Sequence, residues 1–202
     1  LMPMAREFTF ELAAGYFVPT TTAYIAVHDI GKVSAKSAVL VTGVRGAVGS
    51  LAAEMCLNVG ARVVGMSRDV QSPLPNYLSE VEIWDYSTPS LGDASIHFDL
   101  VVDTVAGSGF SERLSMVQSG GVVALVGYAA GEVVEVGVPG WILSDTPVVP
   151  VNMLNRETRA REVSELLATD LTAGRLHLQM TEFSHSDLEV ARLEVSLGRL
   201  HG

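Results

Sequence analysis

The chain has 202 residues, 48% of them hydrophobic and 18% charged, which suits one well-filled α/β domain and argues against disorder. Its formal net charge is −10, and of 13 basic residues only Lys32 and Lys36 are lysines, with no basic cluster; a nonspecific nucleic-acid binder is excluded on that balance. No run approaches the roughly 20 apolar residues of a membrane span, no charged n-region precedes an apolar h-region, and the lone Cys56 permits neither a disulfide framework nor a Cys/His zinc pattern. The expected setting is the cytoplasm, with no membrane partner and no metal.

In chain order, Phe8, Phe10, Leu12 and Ala13 supply the apolar surface of a short helix. Pro19 and Thr20-Thr21-Thr22 then read as the start of a second helix, the threonines as its caps, continuing through Ala23–His28 to Gly31. His28 reads as a helix-surface residue or a partner of the helix dipole. Next comes the most informative stretch, Ala38-Val39-Leu40-Val41-Thr42-Gly43-Val44-Arg45-Gly46-Ala47-Val48-Gly49. An apolar run of strand length breaks into a glycine-rich turn that opens into an Ala/Leu-rich helix, which Gly60 stops. Amides at such a helix start lack intrahelical partners and the helix dipole adds positive charge, so the turn suits a pyrophosphate. Gly46 would let the backbone approach the phosphates, and Gly49 would let the helix pack closely on the strand. Cys56, inside this helix, reads as a buried structural thiol.

Ala61–Met66 is the second strand, ending on Ser67 and Arg68. A carboxylate at that place would favour NAD, whereas a small polar residue with Arg accommodates a 2′-phosphate, so the spacing favours NADP(H); an exposed Arg68–Asp69 turn is the alternative. Prolines and small polar residues over 71–76 replace a long second crossover helix, and a short strand follows at Glu80–Asp85. Phe98–Val105 is a strong strand, 109–117 a helix, and Gly120–Gly127 another buried strand. Such continuous apolar strands belong in a parallel sheet covered on both faces. Residues 128–146 look irregular; 146–151 reads as a strand that its prolines place at the sheet edge. A helix over Glu157–Leu171 turns Val163, Leu166, Leu167 and Leu171 inward, and Ser186-Asp187 caps a last helix from Leu188 to about Leu197. His177, His185 and His201 read as surface residues without metal-ligand spacing.

The combination resembles the nucleotide-binding domain of the medium-chain dehydrogenase/reductase superfamily, in its zinc-independent quinone oxidoreductase-like branch. Thr22-Ala23-Tyr24 is similar to that family's Thr-Ala-Tyr signature, 41–49 to its Ala-Ala-Gly-Gly-Val-Gly turn, 99–107 to its fourth strand and 119–127 to its fifth. The close, from Phe183 to Gly198–Gly202, is similar to its final helix and the glycine before its last strand. In the turn, Val44 and Arg45 stand where the family has alanines and Ala47 where it has glycine.

The resemblance implies a Rossmann-type, doubly wound parallel sheet over residues 1–202, with 1–36 as lead-in helices and 155–202 as a helical C-terminal part. The GroES-like domain that completes the family's active site is missing from the sequence, as from a domain excised from a longer enzyme. The resemblance further places Thr42, Val44, Arg45, Gly46, Ala47, Val48 and Gly49 at the pyrophosphate turn, and Ser67 and Arg68 at the adenosine ribose phosphate. Thr104 and Val105 fall to the adenine side or ribose, and Thr22, Gly127 and Tyr128 to the nicotinamide side. No residue is assigned a catalytic role, because the hydride comes from the cofactor. The implied function is the cofactor-binding part of an NADPH-dependent oxidoreductase acting on an enone, enoyl thioester or quinone. A homodimer through the open edge near Val148–Met153 is expected with it. The alternatives are a degenerate cofactor-sensing or scaffold domain of a larger synthase, and an atypical short-chain reductase; the latter wants a glycine turn near the N-terminus and a Tyr-x-x-x-Lys pair, and the sequence has neither.

Overall fold

The computed structural model describes residues 8–86 and 97–196. Six strands form one parallel sheet: β1 (Ala38–Thr42), β2 (Arg62–Met66), β3 (Glu82–Trp84), β4 (Phe98–Asp103), β5 (Val117–Leu125) and β6 (Val148–Pro150), in the spatial order β3-β2-β1-β4-β5-β6. The two crossovers that leave β1 and β4 in opposite directions create a switch point between those strands, where an α/β sheet opens a crevice beyond its C-terminal edge.

The apolar runs become strands because both faces of the sheet are covered. One face, with Val39, Val41, Val63, Leu100 and Val102, packs beneath α2 (Phe17–Tyr24), α3 (Ala47–Asn58) and α6 (Glu157–Thr172). The other, with Leu40, Val64, Val101 and Val123, meets Phe110 and Leu114 of α4 (Phe110–Ser115). Residues as large as Leu40, Leu51, Phe98 and Leu100 have no exposed surface, each stabilising the fold by about 1.5–3 kcal/mol relative to exposure. Cys56 lies in this core, and burial pushes its thiol up to about 12.

Several expectations need correction. The lead-in is α1 (Phe10–Gly15) and α2, and α2 begins at Phe17, two residues before Pro19. Proline is tolerated in a first turn, where its missing N–H would have had no partner. The threonines do not cap the helix; Thr20 and Thr21 donate their hydroxyls back to the Tyr16 and Phe17 carbonyls, at 2.6 and 2.5 Å. Beyond Tyr24 the chain widens into a π-helical turn, Ile25–Ile30, and His28 is half-buried against the Tyr24 ring, its pKa lowered by burial and partly restored by Asp29.

The supposedly irregular 128–146 stretch contains a short helix, α5 (Val138–Ser144), with Pro139 in its first turn. β5 begins at Val117 rather than Gly120, because a register shift opposite Phe98 and Leu100 absorbs the glycines; a Cβ on Gly121 would sit 2.8 Å from the Asp99 carbonyl oxygen. On α6 the buried positions are Ala160, Val163, Ser164, Leu167 and Leu171, at helical spacing, while Leu166 falls off that face and is exposed. His177 is exposed as expected, and it is also held in place: its Nδ1 lies 2.6 Å from a carboxylate oxygen of the buried Glu54, and its ring stacks on Tyr77. The last helix, α7, runs Leu188–Ser196; its expected end at Leu197, the Gly198–Gly202 match and His201 lie outside the described residues.

Candidate functional site

The C-terminal ends of β1, β2, β4 and β5 bring the glycine turn, Ser67-Arg68, Asp103-Thr104-Val105 and Gly127-Tyr128 to one edge of the sheet. Gly43 turns the chain out of β1 with φ +60°, a region side-chain-bearing residues avoid, and its carbonyl accepts the Gly46 N–H at 2.8 Å. A Cβ on Gly49 would lie 2.2 Å from that same carbonyl oxygen, so α3 reaches this close to the strand only with glycine there. Gly46 stands at the helix start without a side-chain cap. The amides of Ala47, Val48 and Gly49 donate to no described group, while the Ser50 amide already bonds the Gly46 carbonyl. Three unpartnered N–H groups at the start of a 12-residue helix form a cradle suited to an anion.

Val44 and Arg45 take opposite directions from the turn. The Val44 side chain is buried against Gly65, where a Cβ would come within 2.8 Å of it, and its N–H donates to the Met66 carbonyl at 3.3 Å. Arg45 reaches outward to the loop that follows β2. The Gly43 N–H donates to the Tyr86 hydroxyl at 2.8 Å, and that hydroxyl in turn donates to the Met66 carbonyl at 3.3 Å; burial raises the phenol's pKa. Asp69 accepts the Gln71 and Ser72 amides on one carboxylate oxygen, each at 3.0 Å, and Ser72 is the main reason its carboxyl is held down at about 2. That carboxylate is thus committed to its own loop, while Arg68 is exposed with no hydrogen bond or ion pair among the described residues.

Between β1 and β4 the crevice floor is a buried polar network. Thr42 donates its hydroxyl to Asp103 at 3.1 Å and accepts the Thr104 N–H at 2.8 Å; Thr104 donates its own hydroxyl to the Thr42 carbonyl at 2.7 Å. The same Asp103 carboxylate accepts the amides of Val105 and Ala106 and pairs with Arg113 of α4 at 2.7 Å, both side chains being almost wholly buried. Arg113 also bonds the Ala106 carbonyl at 2.6 Å, holding Ala106 at φ +51°. Gly127 passes so near that a Cβ would meet the Thr104 carbonyl oxygen at 2.5 Å. Beyond it lies an open cleft of about 470 Å³ walled by Ala106, Val126, Gly127, Tyr128, Glu132 and Asn152.

The structure therefore gathers Thr42, Arg45, Gly46, Ala47, Val48, Gly49, Ser67, Arg68, Thr104, Val105, Gly127 and Tyr128 around one crevice. It turns the Val44 side chain into the core. Thr22 is buried on α2, which packs on α3 and α6, and none of the crevice hydrogen bonds reaches it. The sequence reading did not single out the Asp103–Arg113 pair or the Tyr86 hydroxyl. A carboxylate ending an otherwise apolar strand, with an arginine in the next helix, was the signal available for the first.

A glycine turn, orphaned helix amides and loops converging at the switch point define a Rossmann-type α/β domain. No family model matches the chain. It is 25% identical over 161 residues to the quinone oxidoreductase-like protein 2 homolog of Nematostella vectensis, covering 76% of this chain and 40% of that protein. It is 26% identical over 187 residues to the putative quinone oxidoreductase YhfP of Bacillus subtilis, covering 87% and 56%. The YhfP structure, solved with NAD bound, superposes with a TM-score of 0.74 at 23% identity over 100% of this chain and 64% of that one. A mycobacterial protein complexed with NADPH superposes with a TM-score of 0.85 at 18% identity, over 98% of this chain and 66% of its own. The chain thus shares its fold with these oxidoreductase structures and is similar in sequence to quinone oxidoreductase-like proteins. The chain spans 40% and 56% of the lengths of these two curated relatives.

Proposed function

We propose that this chain is the cofactor-binding domain, residues 1–202, of a cytoplasmic NADPH-dependent oxidoreductase. Its acceptor would be an enone, enoyl thioester or quinone. The observation that carries the reading is the set of unpartnered amides at Ala47, Val48 and Gly49 behind a turn that tolerates no Cβ at Gly49. The end of β2, where Ser67 and Arg68 replace a carboxylate, points to the 2′-phosphorylated dinucleotide. Solved relatives carry NADPH or NADP, and in one case NAD.

Bound NADPH would supply the hydride. The chain's own residues bind, orient and exclude water. The α3 amides face the pyrophosphate, Ser67 and Arg68 the ribose phosphate, and Thr104 and Val105 the adenosine side. Gly127 and Tyr128 border the cleft on the nicotinamide side. No residue of this chain is assigned proton transfer. The acceptor would lie between this cleft and a second, GroES-like domain of the whole enzyme.

We further propose a homodimer joined at the sheet edge near Val148–Met153. Among the described residues β6 pairs only with β5, and beside it α5 leaves Ile142 and Leu143 exposed, an arrangement that needs cover. Titrating NADPH with the 202-residue chain and following dinucleotide fluorescence tests the first proposal: a saturable change is expected, and none up to millimolar concentration would sink it. Light scattering at tens of micromolar tests the second, with twice the 21.4 kDa chain mass expected and the single mass counting against it.

A further inference from the structure

Arg45 stands where the resembling family has alanine, and its contacts account for what it does there. Its Nε donates to the Ser67 hydroxyl oxygen at 3.2 Å and to the Asp69 carbonyl at 3.0 Å. One terminal nitrogen donates to the Pro73 carbonyl at 3.4 Å and the other to the Ser72 carbonyl. A single guanidinium from the phosphate turn thus ties down both ends of the loop after β2. None of these acceptors is a carboxylate, so the pairing leaves the positive charge in place.

The consequence falls on Ser67. Its oxygen accepts from Arg45 and also from the Asp69 N–H, at 3.1 Å. A hydroxyl oxygen has two lone pairs, and both are now used. The O–H must point in the remaining direction, and it meets no acceptor among the described residues although Ser67 is only 6% exposed. A buried hydroxyl proton without an acceptor costs free energy until something supplies one. The charges agree: the loop region carries the guanidinium groups of Arg45 and Arg68 against the one carboxylate of Asp69, whose Oδ1 is already bonded within the loop.

We propose that Arg45 is a positioning residue for the 2′-phosphate of NADPH: it fixes the 67–73 loop and aims the Ser67 hydroxyl proton at a phosphate oxygen beside Arg68. The inference rests on the cofactor reading above and adds to it a residue that selects between the two nicotinamide dinucleotides. The phosphate that distinguishes them brings about two negative charges to a place prepared with one aimed hydroxyl and a spare cation. NADH brings nothing to either.

The test compares NADPH and NADH affinities of the 202-residue chain by fluorescence titration. The variants are Arg45→Met, Arg45→Lys, Ser67→Ala and the Arg45→Met/Ser67→Ala double variant, each checked for folding by circular dichroism. The wild type is expected to prefer NADPH. Arg45→Met is expected to lower NADPH affinity about tenfold, the scale of a lost charge-assisted hydrogen bond, with a far smaller change for NADH. Arg45→Lys keeps the charge without the fork and should not restore the preference. Ser67→Ala should reproduce the loss, and the double variant should be little worse than either single one, because both act through the same hydroxyl.

Equal weakening of NADPH and NADH would reveal a merely structural role and overturn the proposal. So would full rescue by lysine, or additive losses in the double variant. If Arg45→Met does not fold, Arg45→Lys and Ser67→Ala decide: an unchanged preference in both overturns the idea. A wild type that binds neither dinucleotide brings down the cofactor reading and this inference with it. A wild type that binds NADPH, with variants that bind it equally well, brings down this inference alone.

Discussion

At the β1–β2 end of the crevice the glycine turn is held from several sides. Val44 is sunk under Gly65, Tyr86 accepts the Gly43 amide, Arg45 grips the loop after β2, and the Asp103–Arg113 pair fixes the neighbouring β4 loop. At the β5–β6 end an open cleft adjoins an edge strand and a helix whose Ile142 and Leu143 face solvent. The first end is shaped before any ligand arrives, so binding there loses little entropy in ordering. The second presents apolar surface that another body would cover. On the proposed reading, recognition of the dinucleotide would be built in at the first end, while the chemistry at the second would depend on what docks against it.

The comparison breaks most sharply at Arg113. Arg113→Met leaves the Asp103 carboxylate buried and unpaired and should cost about 3–5 kcal/mol, read as a lower midpoint in denaturant unfolding. An undisturbed midpoint would mean that the crevice floor is not held by this pair. Gly49→Ala comes next. Its Cβ would overlap the Gly43 carbonyl at 2.2 Å, so α3 must back away from β1 at a cost of up to about 3 kcal/mol, and dinucleotide affinity should fall with the displaced amides. Retention of both stability and affinity would show that the turn does not depend on close approach.

A smaller effect should come from Glu54. Burial is the main cause that raises its pKa, offset in part by its hydrogen bonds to His177. A carboxyl with a raised folded pKa supports the fold most when protonated, so its contribution is full below the ordinary glutamate pKa of about 4.3 and is lost as pH rises through the higher folded value. Unfolding midpoints of wild type and Glu54→Gln measured upward from pH 4 should therefore converge on the acid side and separate above it. Parallel profiles would contradict this. The smallest effect belongs to the open end: Leu143 is 87% exposed, and Leu143→Ser should change chain stability by less than about 0.5 kcal/mol while weakening self-association in light scattering. A large destabilisation would mean that this face is part of the fold rather than available for docking.

Much of the rigid end was legible in the sequence because it is local. A four-residue apolar run ending on Thr42, a glycine turn and a helix with small residues on its packing side are consecutive, and β1, α3 and β2 fall within a residue of where the pattern places them. The parallel character of the sheet and the edge position of β6 followed from buried strands and from Pro147 and Pro150, whereas the strand order did not. What escaped depends on contacts between distant segments. Arg113 meets Asp103 only after the β4 loop has turned back on itself, and Tyr86, which follows β3, reaches Gly43 past the end of β2. Pattern also failed where composition misled: α5 hides behind Gly137, Pro139 and Gly140 because a helix can begin on such residues. Leu166 is apolar and exposed, so helical spacing alone assigned it to the wrong face. The place of Ser67 and Arg68 at the end of β2 was readable from the pattern, yet the reach of Arg45 to the loop that follows was not, since nothing in its neighbours says which way its side chain will turn.

The most direct test of the account is a pair of equilibrium titrations of the 202-residue chain, one with NADPH and one with NADH. A crevice prepared for a 2′-phosphorylated dinucleotide predicts saturable binding of NADPH, weaker binding of NADH, and an NADPH affinity that falls steeply with added salt, as a phosphate held by arginines requires. Equal affinities without salt dependence, or no binding of either dinucleotide, would contradict it.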